Sequence, residues 1–174
     1  MIRDATPADA AAVATIYNHY IEHTVITFEV DVLTEDDMRA RIAKIQGASY
    51  PWLIWEDGGQ VLGYAYASQF RDRAAYRHSA EATVYLAPDA TRRGIGSALY
   101  GGLVSRLRAG GAHLVVGGIA LPNEASVALH ESLGFTRVGT FSEIGRKFDR
   151  WIDVGFWHLR LDGGEPHGAE SATD

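Results

Sequence analysis

The chain has 174 residues, 47% hydrophobic and 22% charged, with a formal net charge of −6, the size and balance of one globular domain. The acidity and the lack of a Lys/Arg run argue against a nucleic-acid partner, and the absence of cysteine excludes disulfides, thiolate nucleophiles and cysteine-based zinc sites. The first residues, Met1 to Pro7, lack the apolar core of a signal peptide, and no apolar run is long enough to span a bilayer, so a cytoplasmic protein without a membrane partner is expected.

Ile2 to Asp4 read as a short first strand. Thr6-Pro7-Ala8-Asp9 then starts a helix, with Thr6 as cap, Pro7 in the first turn and Asp9 at the positive end of the dipole. Val13, Ile16, Tyr17, Tyr20 and Ile21 give that helix one apolar face. A second helix is expected from Thr34, burying Met38, Ile42 and Ile45. Trp52 to Trp55 and Val61 to Gln69 are β-rich runs around Asp57-Gly58-Gly59, the pattern of a hairpin. A strand over 80–86 leads to a helix over 94–108, with Ile95, Leu99, Leu103 and Leu107 in line. Then follow a strand over 114–119, a helix from Asn123 to Leu133 stopped by Gly134, and strands over 135–140 and 147–161. The polar, glycine-bearing tail from Asp162 to Asp174 is expected to be disordered. The order βααβββαβαββ predicts a single mixed α/β domain over 1–161.

The segment Val84-Tyr85-Leu86-Ala87-Pro88-Asp89-Ala90-Thr91-Arg92-Arg93-Gly94-Ile95-Gly96-Ser97-Ala98-Leu99 runs strand, turn, basic pair, Gly-x-Gly, helix. A helix N-terminus offers unpaired amides and partial positive charge to a phosphate, glycines let the anion approach them, and Arg92 and Arg93 add charge there. A Walker loop would need a Lys-Ser/Thr pair after the last glycine, and the dinucleotide fingerprint a third glycine at the position of Leu99; neither is present. A relaxed turn before an ordinary helix fits Gly-x-Gly equally well.

Arg93-Gly94-Ile95-Gly96-Ser97-Ala98-Leu99 after Val84-Tyr85-Leu86 resembles the acetyl-CoA signature of the GNAT acetyltransferases. Leu121-Pro122-Asn123 through Leu133-Gly134-Phe135 is similar to that family's later helix and its Leu-Gly-Phe ending. Thr27-Phe28-Glu29, Phe70 to Tyr85 and Gly145 to Asp153 resemble the phosphinothricin and methionine sulfoximine acetyltransferase branch, so the likeness spans nearly all of 1–161. The resemblance implies a GNAT fold with a splayed central strand pair and acetyl-CoA as co-substrate. Val84, Tyr85 and Leu86 would hold the acetyl arm, Arg92, Arg93, Gly94, Ile95, Gly96, Ser97 and Ala98 the pyrophosphate, and Asn123 and Ser126 the CoA arm. Thr91 departs from the family, which carries glutamine or arginine there.

Acetyl transfer needs a base for the ammonium, donors for the oxyanion and a proton for the departing thiolate. The family places its glutamate at Glu81, which is therefore the candidate base; alternatively it is a surface residue or a partner for Arg77. Amides near Val84 and Tyr85 would be the oxyanion donors. His130 stands where many relatives have tyrosine, and either donates the thiolate's proton as an imidazolium or packs against CoA. Arg71 and Arg73 match a carboxylate or phosphinate, or else are solvated loop residues. Phe28, Glu29 and Tyr76 would wall the acceptor pocket, with Glu29 facing the substrate ammonium; Asp72 would also contact the substrate, and Lys147, Trp151 and Asp153 would shape the pocket. The resemblance has this late segment coming from a neighbouring subunit, which implies a homodimer. His19 and His23 are four apart on a helix, but lack the following glutamate and third ligand of a zinc site, so no metal is expected. The expected activity is acetylation of the α-amine of a small amino-acid-like substrate. Other primary amines (a polyamine, an aminoglycoside, a protein N-terminus) and a non-catalytic acyl-CoA-binding module are the alternatives.

Overall fold

The computed structural model describes residues 1–161, so the expected disorder of 162–174 lies outside the described residues. Eleven main elements follow the predicted order: β1 (Ile2–Asp4), α1 (Ala10–His23), α2 (Glu35–Gly47), β2 (Trp52–Asp57), β3 (Gln60–Gln69), β4 (Ser79–Leu86), α3 (Ile95–Ala109), β5 (Leu114–Leu121), α4 (Glu124–Ser132), β6 (Thr136–Lys147) and β7 (Arg150–Arg160). Short 3-10 turns at Pro7–Asp9, Ala74–Tyr76 and Pro88–Ala90 precede α1, β4 and α3.

Local chemistry fixes the starts of the helices. Asp9 is buried, and its carboxylate accepts from the Thr6 amide (2.7 Å) and hydroxyl (2.9 Å) while receiving both guanidinium nitrogens of Arg3. At α2 the Thr34 hydroxyl accepts from the Asp37 amide, and the Asp37 carboxylate returns the bond to the Thr34 amide. The β2–β3 turn places Gly58 and Gly59 at φ 56° and 83°, the left-handed region that favours glycine in a two-residue hairpin loop.

The strands form one sheet in the order β1-β2-β3-β4-β5-β7-β6, antiparallel except for β4 beside β5, which α3 joins as a crossover. Alternation along the strands sends side chains to two cores. On one face Trp52, Ile54, Tyr64 and Tyr85 pack with Val13, Ile16, Ile21, Met38 and Ile42 of α1 and α2. On the other, Leu53, Ala65, Ala82 and Val115 pack with Leu99, Tyr100, Leu103 and Leu107 of α3.

One strand boundary differs from the prediction. β6 runs on to Lys147 instead of ending near Thr140, and the turn to β7 falls at Phe148-Asp149, both with positive φ. Lys147 therefore closes β6 and is not the first residue of the last strand.

Candidate active site

The central strands part company. β4 pairs with β5 only from Ser79↔Leu114 to Glu81↔Val116; beyond this β4 stays with β3 as far as Leu86, while β5 follows β7 as far as Leu121. The His78 carbonyl accepts from the His113 and Leu114 amides, so by alternation the backbones of Ala82, Val84 and Leu86 also point toward the β5 side, into the opening. Leu86 O receives the Tyr20 hydroxyl at 2.7 Å, and the Tyr100 hydroxyl stands 3.4 Å from Ala82 O. Val84 is left with its amide facing the gap. Tyr85 sits in register with Tyr64 and by the same alternation turns its amide to β3, so the two expected amide donors reduce to Val84. The Tyr85 ring lies in the core and closes one side of the opening.

A cavity of about 270 Å³ occupies this gap, with Glu81, Thr83 and Val84 on one side and Gly118, Ile119 and Ala120 on the other. Phe156 and Val154 of β7, Asn123, Ser126 and His130 of the α4 region, and Ile26, Thr27 and Phe28 complete the wall. Glu81 is half-buried at the apex, and its carboxylate makes no hydrogen bond among the described residues. Burial pushes its carboxyl above the ordinary carboxylate value, against the opposing pull of the Arg71 charge. Arg77, the alternative partner, donates instead to Ala74 O. A Cβ on Gly118 would lie 3.7 Å from Glu81 Oε1, which places this residue of β5 opposite the carboxylate. An unpaired carboxylate with a raised pKa beside an unpaired amide can take a proton from one atom while the amide stabilises charge on another.

At the outer end of the gap Gly94 takes φ 75° and precedes α3, and no side chain caps the helix. The amides of Ile95, Gly96 and Ser97 are therefore first-turn donors without a side-chain acceptor. Nothing lies within 4 Å of where a Gly94 Cβ would be, so the space in front of the loop is open. Arg92 and Arg93 are exposed beside it, Arg93 in a 3.2 Å surface ion pair with Asp57. Ile95 turns into the core, and Ser97 and Ala98 face outward. An uncapped helix start with two exposed guanidinium groups, at the mouth of a groove whose wall is unpaired backbone, fits a pyrophosphate with an amide-bearing arm, as acetyl-CoA presents.

The α4 side is tightly determined. Asn123 caps the helix, its Oδ1 accepting from the Ser126 amide at 3.1 Å, and both residues line the cavity. His130 is buried, its Nδ1 2.7 Å from Ser126 O and its Nε2 3.0 Å from the Tyr100 hydroxyl. A carbonyl only accepts, so Nδ1 carries the proton and Nε2 accepts from Tyr100. Burial lowers the imidazole's pKa, with Ser126 opposing. Both ring nitrogens are thus engaged within the chain, and burial disfavours the imidazolium.

On the acceptor side the candidates separate. Phe28 reaches the cavity wall, whereas Glu29 does not face an ammonium site: it forms a bidentate pair with Arg41 (2.8 and 3.1 Å) and accepts from the Tyr17 hydroxyl at 3.0 Å. Lys147 is buried, and its Nζ donates to Thr27 O at 2.8 Å. Arg71, Asp72, Arg73 and Tyr76 form an exposed loop ahead of β4. There the Arg71 guanidinium lies 4.4 Å over the Phe70 ring, close enough for its charge to act on Glu81. Trp151 is largely exposed, and Asp153 accepts from the Glu143 amide. The His19 and His23 rings lie with centroids 5.0 Å apart, tilted by 55°, and among the described residues no third His, Asp or Glu joins them in a metal-sized cluster.

Sequence reading missed Tyr100, Arg41, Tyr17 and the glycines at 117 and 118. Tyr100 and Arg41 read as ordinary helix-face residues. The Gly117-Gly118 pair inside a strand was the one available signal, since glycine there marks a close approach.

Comparison with known proteins gives consistent findings. The model of the Acetyltransferase (GNAT) domain matches residues 2–155. A phosphinothricin N-acetyltransferase of Streptomyces viridochromogenes is 44% identical over 156 residues, covering 90% of this chain and 85% of that protein. An L-methionine sulfoximine/L-methionine sulfone acetyltransferase of Salmonella typhimurium is 38% identical over 161 residues, covering 92% and 94%. The crystal structure of a phosphinothricin acetyltransferase from Sinorhizobium meliloti in complex with acetyl-CoA superposes with a TM-score of 0.91 at 39% identity, covering 94% of this chain and 89% of that one.

Proposed function

Because the chain belongs to the GNAT acetyltransferase family, we propose that it transfers the acetyl group of acetyl-CoA to the α-amine of a small amino-acid-like acid of the phosphinothricin or methionine sulfoximine type. The observation that carries this reading is the unpaired, half-buried Glu81 carboxylate at the apex of the splayed strands, beside the free Val84 amide. The acetyl arm lies along β4 and the pyrophosphate meets the Ile95, Gly96 and Ser97 amides, with Arg92 and Arg93 flanking.

Glu81, directly or through a water, takes a proton from the acceptor's ammonium, since only the free amine has a lone pair to attack the thioester carbon. Charge developing on the thioester oxygen is stabilised by the Val84 amide. The attacking nitrogen then carries a proton it must lose as the C–S bond breaks, and the sulfur gains one, so transfer between them balances the step. Arg71 and Arg73 are assigned to the acceptor's anionic group, with Phe28 and Tyr76 as apolar walls.

A homodimer belongs to the same reading. β6 is an edge strand, and Val138 (62% exposed), Phe141 (59%), Ile144 (54%) and Trp151 (62%) leave apolar surface on the β6–β7 hairpin. A second copy covering this hairpin would bury it beside the Lys147 end of the site.

The test is thiol release from acetyl-CoA with methionine sulfoximine, phosphinothricin, spermidine and an aminoglycoside as separate acceptors, for the wild type and Arg71→Ala. Turnover with the first two, weakened through acceptor KM by Arg71→Ala, supports the assignment. Turnover only with the cations overturns the arginine assignment, and tight acetyl-CoA binding without turnover makes the chain a binding module. In sedimentation, Val138→Glu/Ile144→Glu should convert a dimer to a monomer; a wild type that is already monomeric refutes the assembly.

A further inference from the structure

His130 and Tyr100 meet where the strands separate. The last β4–β5 pair is Glu81↔Val116; the next residues, Ala82 and Gly117, are the first that do not pair. The Tyr100 hydroxyl stands between them, 3.4 Å from Ala82 O and 3.0 Å from His130 Nε2. On the β5 side, a Cβ at Gly117 would fall 2.4 Å from His130 Nε2 and 3.3 Å from the Tyr100 hydroxyl. The imidazole therefore fits only because residue 117 has no side chain. Ser126 O fixes the other ring nitrogen at 2.7 Å, and Phe135 stacks on Tyr100 at 5.5 Å with a 10° interplanar angle and meets the His130 ring edge-on at 5.1 Å.

We propose that the Tyr100 hydroxyl and the His130 imidazole form a wedge that holds β4 and β5 apart, with Tyr100 a positioning residue for acetyl-CoA. A parallel strand pair does not open without reason, because each backbone group turned into the gap loses its partner. Here the Tyr100 hydroxyl, whose one proton goes to His130 Nε2, occupies the place of a β5 partner beside the first freed carbonyl. The imidazole fills the space where Gly117 would otherwise let the strands close. Neither ring nitrogen is free, so the pair acts by holding the opening and not by exchanging protons with substrate.

The wedge also accounts for the polar character of this corner. Tyr100 and His130 are both buried, and an apolar pair of similar volume would take away the hydroxyl beside Ala82 O and the Nδ1 proton given to Ser126 O. If that carbonyl instead found an amide of β5, the strands would zip further and the groove beside Val84 would narrow. The consequence falls on acetyl-CoA, whose arm lies in the groove, more than on the acceptor.

The proposal rests on the acetyl-transfer reading of the cleft, so the experiment measures acetyl-CoA binding directly by calorimetry, alongside KM for each substrate and the melting temperature. Tyr100→Phe keeps the ring and removes the hydroxyl; Gly117→Ala displaces the imidazole from the other side. Each should weaken acetyl-CoA binding about tenfold, the equilibrium factor of one unsatisfied buried hydrogen-bonding group, with acceptor KM within about twofold. Because both disrupt one contact, the double variant should fall short of the product of the two single effects. Tyr100→Phe that lowers the melting temperature but leaves acetyl-CoA affinity unchanged reduces the hydroxyl to a core hydrogen bond and overturns the proposal. A wild type that binds no acetyl-CoA defeats the underlying reading instead. Should the variants fail to fold, 15N NMR of the histidines in the wild-type chain is the second test: neutral His130 is expected to be protonated at Nδ1, and a proton on Nε2 would contradict the wedge geometry.

Discussion

Gly145→Ala probes how the acceptor wall is held. A Cβ at residue 145 would lie 2.1 Å from Phe28 Cε2, 2.4 Å from Cζ and 2.7 Å from Cδ2. Ordinary carbon contacts begin near 3.5 Å, so the ring must retreat by roughly 1.4 Å or β6 must shift. Overpacking of this kind costs about 1–3 kcal/mol. Phe28 is 41% exposed and free to swing outward, so the loss of stability belongs at the low end, about 1 kcal/mol. The displaced ring is part of the cavity wall, so the functional effect should exceed the structural one: acceptor KM rises about tenfold while acetyl-CoA KM stays within twofold. The control lies on the same strand, because nothing stands within 4 Å of a Cβ at Gly139. Steady-state kinetics with both substrates varied, together with thermal melting, reads both quantities. Equal effects from Gly139→Ala and Gly145→Ala, or an effect confined to acetyl-CoA, would refute the reasoning.

Other expectations follow from the same geometry. Gly94→Ala meets no atom but must adopt φ 75°, a strain of about 1–2 kcal/mol for an L side chain; calorimetry should show weaker acetyl-CoA binding with little change in acceptor KM. Arg3, hydrogen-bonded to it, holds the Asp9 carboxyl below its usual value. The stability this contributes is present above the unfolded carboxylate pKa and lost as pH falls through the folded one. Asp9→Asn should therefore cost about 2 kcal/mol at neutral pH in denaturant titration, and nearly nothing at a pH where Asp9 is already protonated. For Glu81 the sign reverses. Its folded pKa is raised by burial, so its contribution to stability is fully present below the unfolded pKa and is lost as pH rises through the folded one. Glu81→Gln should raise the melting temperature at neutral pH, and a lower one would contradict the description of its surroundings.

The sheet and its helices were legible in the sequence because their signals are local. Thr34 with Asp37 announces α2, Gly58-Gly59 the hairpin, and the alternation of Trp52, Leu53 and Ile54 the two-sided sheet. The end of β6 was not, because Phe148-Asp149 bends with positive φ and without the glycine that usually marks such a turn. At the candidate site the Gly-x-Gly pattern marks the left-handed turn at Gly94, while the family resemblance and not the strand pattern singles out Glu81. The site was hidden where partners are set by tertiary packing. Glu29 lies in an irregular stretch whose charge is taken by Arg41 of α2. From sequence His130 is a proton donor or a residue packed against CoA; its contact with Tyr100, thirty residues earlier, comes from tertiary packing.

The measurement that bears most directly on the central claim is the pH dependence of kcat/KM for the acceptor, wild type against Glu81→Gln, with acetyl-CoA affinity measured in both. The wild-type rate should rise through an ionisation above the ordinary carboxylate value, and Glu81→Gln should lose about 100-fold or more with acetyl-CoA affinity unchanged. A glutamine variant that keeps its rate and its pH profile would mean that the carboxylate at the apex of the splayed strands does not move the proton.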